Sequence, residues 1–83
     1  MSIKVLVVDD EKEFTEHLAE RLRLRDLEVD VAFDGDQAIQ FVQKKPVDVV
    51  VLDLQLPGVD GVETLKRIKK IEPKVQVIML TGH

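Results

Sequence analysis

Four short apolar runs in this chain each stop at an oxygen-bearing side chain. Val5-Leu6-Val7-Val8 ends at Asp9-Asp10, Val29 to Phe33 at Asp34, Val47 to Leu52 at Asp53, and Val75 to Leu80 at Thr81. Short, nearly continuous aliphatic runs read as strands of a parallel sheet buried on both faces, and open α/β sheets bind ligands outside the carboxyl ends of their strands. The pattern therefore gathers carboxylates and a hydroxyl on one rim, which is where chemistry is expected.

Helical patterns fill the intervals. From Lys12 to Asp26, Phe14, Leu18 and Leu22 recur at four-residue spacing beside Ala19, with Glu13, Glu16, Glu20, Arg21, Arg23 and Arg25 elsewhere on the wheel. Asp34-Gly35-Asp36 supplies a turn and an N-cap for a second helix through about Lys45, with Ala38, Ile39, Phe41 and Val42 on its core side and Pro46 ending it. A third helix is predicted from Gly61 to Ile71, with Val62, Leu65, Ile68 and Ile71 inward, Lys66, Arg67, Lys69 and Lys70 outward, and Pro73 as the stop. Strand–helix alternation at this spacing means right-handed crossovers and a parallel sheet covered by helices on both faces.

The 83 residues are expected to form a single domain, 1–83, with roughly 60 to 65% of the unfolded surface buried and modest stability. A net charge of −4 without a dense basic tract argues against direct nucleic-acid binding, and the absence of cysteine excludes disulfides and thiolate metal sites. The apolar segments fall far short of the roughly 20 residues that span a bilayer. A first strand that starts almost at the N-terminus leaves no room for a signal peptide, so a cytoplasmic location is expected.

Taken together, Asp9-Asp10 after the first strand, Asp53 ending the third, Leu56-Pro57-Gly58-Val59-Asp60-Gly61 after it, and Thr81-Gly82 after the fourth resemble the receiver domain of two-component response regulators. The resemblance implies a flavodoxin-like fold of strand order 2-1-3-4-5. Measured against that resemblance the chain is expected to be a receiver C-terminally truncated after the fourth strand, in which three helices and four strands alternate, without the fourth helix, fifth strand and fifth helix, or the lysine that in the family pairs with the phosphoryl group.

With the first and third strands adjacent, as that order implies, Asp9, Asp10 and Asp53 converge. Three like charges repel, and a divalent cation relieves the repulsion while leaving Asp53 ionised. Oxygen donors select a hard metal: Mg²⁺ through Asp10 and Asp53, with Asp9 acting partly through water and the resemblance adding the backbone carbonyl of Gln55; Mn²⁺ should substitute. A carboxylate is a competent nucleophile towards phosphorus, so Asp53 is the expected phosphoacceptor. Thr81 is assigned the switch hydroxyl that donates to the phosphoryl group, and Pro57, Gly58 and Gly61 serve loop geometry. Asp10 is alternatively a cap of the first helix.

The resemblance implies phosphotransfer from a sensor histidine kinase or phosphotransfer protein. A truncated receiver that oligomerises or binds a kinase without completing the switch is the alternative; the exposed fourth strand or an exchange of elements would make it a dimer. A Mg²⁺-dependent phosphohydrolase is the weakest reading, because Gln55 stands where such an enzyme needs a second acid and no cap encloses a substrate. The expectation is a signalling module and not an enzyme.

Overall fold

The computed structural model describes residues 2–54, 56 and 61–80. Its element order is β1 (Lys4–Val8), α1 (Lys12–Arg23), β2 (Glu28–Ala32), α2 (Gly35–Lys44), β3 (Val49–Asp53), α3 (Gly61–Ile71) and β4 (Gln76–Leu80). The strands form one sheet in the order β2-β1-β3-β4, and every pairing is parallel. This is the flavodoxin-like order expected from the resemblance.

Strand alternation sorts the core into two layers. Leu6, Val8, Val50 and Leu52 turn to one face, where Ala38 and Val42 of α2 and Ile68 of α3 cover them. Val5, Val7, Val29 and Val51 turn to the other and meet Ala19 of α1, with Leu18 and Leu22 half-buried against them. Successive side chains of a strand point to opposite faces, so a continuous aliphatic run serves both layers.

The second helix starts as its sequence predicts. Asp34 is the N-cap, its Oδ1 accepting the Gln37 N–H at 2.8 Å, and the Gln37 side chain reaches back to accept the Phe33 N–H at 2.9 Å. These two bonds satisfy amide donors at the helix entrance that have no partner within the helix.

Three local expectations are corrected. The first helix ends at Arg23 and not near Asp26. The Arg25 N–H bonds the Leu22 carbonyl and the Asp26 N–H that of Arg23, a tightened last turn that leaves Asp26 at a φ of 64°. In α3, Leu65, Ile68 and Ile71 face the core as expected and Gly61 and Thr64 are buried beside them, but Val62 is 51% exposed, because a strict three-residue repeat drifts around a helix of 3.6 residues per turn. In α1 the fully buried positions are Thr15 and Ala19, one place on from the Phe14–Leu18 row, which is only half-buried.

Candidate functional site

The carboxyl ends of β1 and β3 lie side by side. Val8 pairs with Leu52 in register, so Asp9 follows β1 at the level where Asp53 ends β3. Asp9 is fully buried, Asp53 is 4% exposed, and Asp10 is open to solvent. One carboxylate oxygen from each of the three lies within 4.8 Å of those of the others. The convergence expected from the sequence is present.

Asp9 also has a structural task. Its Oδ1 accepts the Glu11 N–H at 2.9 Å, and its own N–H donates to the Ala32 carbonyl at 3.1 Å. Glu11 is the N-cap of α1 but makes no side-chain cap bond. Thus the alternative use of Asp10 as the cap of the first helix does not hold: it is Asp9 that bonds at the helix entrance, and Asp10 stands exposed beside it.

On the far side of Asp53, the Leu54 N–H donates to the Leu80 carbonyl at 3.3 Å, tying the residue after Asp53 to the end of β4. Gly61 opens α3 buried against the Leu54 backbone. Gln55, Pro57, Gly58 and Thr81, assigned to metal binding, loop geometry and the switch, lie outside the described residues.

Buried Thr15 was missed by the sequence reading. Its hydroxyl lies 3.1 Å from the Asp9 carbonyl oxygen and 2.7 Å from that of Glu11. The available signal was a second helical row, Thr15, Ala19 and Leu22, spaced i, i+4, i+7 and headed by a polar residue.

The donor set suits a hard divalent cation. It is all carboxylate oxygen with one solvent-facing member, which leaves room for the waters that Mg²⁺ retains.

A parallel sheet clothed on both faces, with three acids at the tips of its two central strands, defines the receiver class of signalling domain. The chain belongs to the response regulator receiver domain family, whose pattern it matches over residues 5–83. It is similar to the regulatory protein VanRc of Enterococcus gallinarum, with 40% identity over 82 residues, 99% of this chain and 35% of that protein. Among solved structures it resembles a response regulator from Burkholderia pseudomallei containing a phosphorylated aspartic acid, a calcium ion and citrate (26% identity, TM-score 0.93), covering 99% of this chain and 48% of that one. It also resembles the response regulator TrrA of Thermotoga maritima in complex with Mg²⁺–BeF (34% identity, TM-score 0.90), covering 98% of this chain and 70% of that one. The chain therefore spans about a third of the curated relative and about half of the first of these structures.

Proposed function

We propose that this receiver domain accepts a phosphoryl group on Asp53 in a reaction that needs Mg²⁺, for which Mn²⁺ substitutes. The observation that carries the reading is the grouping of the Asp9, Asp10 and Asp53 oxygens within 4.8 Å, with Asp53 on the last residue of a central strand. The phosphorylated aspartic acid of the Burkholderia protein and the Mg²⁺–BeF complex of TrrA support it by likeness.

Asp9, Asp10 and Asp53 would hold the ion, joined by the Gln55 carbonyl, and the bound ion supplies charge neutralisation for the phosphoryl oxygens. An Asp53 carboxylate oxygen attacks phosphorus, an O–P bond forms, and the bond to the donor's leaving atom breaks. When the donor is a phosphohistidine, a P–N bond breaks and the imidazole takes a proton. Thr81 then donates its hydroxyl to the phosphoryl group. The donor is a sensor histidine kinase or a phosphotransfer protein in the cytoplasm, and the domain is a stoichiometric acceptor and not a turnover enzyme.

The β4 edge favours a second activity, self-association. Ile78 is 53% exposed on the sheet face that α1 covers elsewhere, and apolar sheet surface of this kind recruits partners.

Native mass spectrometry with Mg²⁺ and acetyl phosphate tests the phosphoacceptor reading. The expected result is one phosphoryl group added per chain, lost in Asp53→Asn and on chelation of the metal. An unmodified chain that still binds Mn²⁺ would refute phosphoacceptance and leave an association module.

A further inference from the structure

The Asp9-Asp10 corner is secured from three directions. The Asp9 N–H bonds the Ala32 carbonyl at 3.1 Å, its carboxylate accepts the Glu11 N–H at 2.9 Å, and its carbonyl oxygen lies 3.1 Å from the Thr15 hydroxyl. The third hold comes from a residue six positions on, on the buried face of α1. Thr15 Oγ1 is also 2.7 Å from the Glu11 carbonyl, an ordinary bond back along a helix for threonine. The reach to Asp9 is not ordinary, because it leaves the helix and engages the peptide that joins the two acids.

That peptide has one soft degree of freedom that matters. Rotation of the Asp9–Asp10 peptide plane about its flanking bonds swings the Asp10 Cα–Cβ vector relative to Asp9, whose own side chain stays fastened to Glu11. Asp10 is the solvent-exposed member of the triad. Exposed to solvent, its carboxylate takes its direction from the backbone beneath it. Thr15 is fully buried, and its hydroxyl has one proton to share between the two carbonyls, so the bond does not exchange freely with water.

We infer that Thr15 is a positioning residue for the metal site: through the Asp9 carbonyl it fixes the plane of the Asp9–Asp10 peptide and so aims the Asp10 carboxylate at the cation. The inference rests on the acid triad's holding a divalent ion. It goes beyond that reading in assigning part of the affinity to a helix residue that never touches the ion. Groups that orient metal ligands in this way typically change affinity by roughly 10- to 100-fold when removed.

The test is calorimetric titration of Mn²⁺ into the full chain, wild type and Thr15→Ser, Thr15→Ala and Thr15→Val, with thermal melts of each metal-free form run beside it. Ser and Ala both lack the methyl group and differ only in the hydroxyl. The expected result is a Thr15→Ser affinity within about twofold of wild type and a roughly tenfold weaker Thr15→Ala and Thr15→Val, at the lower end of the usual range. Equal affinities in Ser and Ala would overturn the inference, whatever their melting temperatures. Where Ala and Val do not fold, Thr15→Cys fills similar space with a weaker donor, and an affinity equal to wild type there has the same meaning. A wild-type chain that takes up no Mn²⁺ overturns the acid-triad reading and the inference with it, an outcome distinct from equal affinities in Ser and Ala.

Discussion

Gly61 is packed against the backbone of Leu54: a Cβ at position 61 would fall 2.5 Å from the Leu54 Cα and 2.7 Å from its carbonyl oxygen. The contact joins the first residue of α3 to the residue directly after Asp53, at a position where only a hydrogen fits. Both atoms in the way are backbone, and neither can turn aside as a flexible side chain would.

Gly61→Ala is therefore expected to destabilise the domain even though alanine is the better helix former. Overpacking costs about 1–3 kcal/mol, against a propensity gain of about 1 kcal/mol that is incomplete in a first turn. A net loss of about 1–2 kcal/mol should appear as a lower urea midpoint with unchanged slope. The same variant should accept phosphoryl groups more slowly, since the strain is relieved by moving Leu54 and with it Asp53. Unchanged stability would show that α3 shifts without cost.

Asp26, at a φ of 64°, occupies the left-handed region in which glycine has no steric penalty. Asp26→Gly should stabilise the chain by up to about 1 kcal/mol, because relief of the native strain exceeds the extra freedom of the unfolded chain. A β-branched residue at the same place should do the opposite, so thermal melts of Asp26→Gly and Asp26→Val are expected to fall on either side of wild type. Both variants falling below it would show that the aspartate side chain supports the turn.

The sequence marked Gly61 as the start of α3 but gave no sign of the turn at Asp26. Strands were readable because each run is short and largely aliphatic and stops at a polar residue, with β1 and β3 buried on both faces, and the acids at their tips followed from the same pattern. The end of α1 was not, because Leu24 and Arg25 continue a helical composition and aspartate replaces the glycine that usually announces a left-handed stop. The inner faces of α1 and α3 were read in part: Ala19 and Ile68 are buried, and Leu18, Leu22, Leu65 and Ile71 pack against the core, but Thr15 and Thr64 were missed because a hydroxyl does not register as core in an apolar pattern. The triad was legible as residues but not as geometry: which acid is buried, and which braces the helix entrance, required the register of β1 against β3.

Ile78 lies in register with Val51, yet one is 53% exposed and the other 8%. Replacing Ile78 by lysine removes apolar surface from the β4 face without touching the layer beneath α2 and α3. Sedimentation equilibrium should show wild-type association weakened in Ile78→Lys by at least about tenfold, since burying one isoleucine contributes about 1.5–3 kcal/mol. A wild type that is monomeric throughout the concentration range would rule out self-association through this face.

Metal removal should have a signed effect on stability as well as on chemistry. With no cation bound, the oxygens of Asp9, Asp10 and Asp53 repel within 4.8 Å, and neutralising the solvent-facing Asp10 should relieve on the order of 1 kcal/mol per pair at a dielectric close to that of bulk water. Metal-free Asp10→Asn is thus expected to melt above metal-free wild type. Saturating Mg²⁺ inverts the order, because binding to the folded state alone stabilises it in proportion to the logarithm of ligand concentration over Kd, and the variant binds more weakly. Melts of both proteins in EDTA and over a Mg²⁺ series should cross. Parallel curves would mean that Asp10 takes no part in holding the ion, leaving Asp9 and Asp53 as its carboxylate ligands.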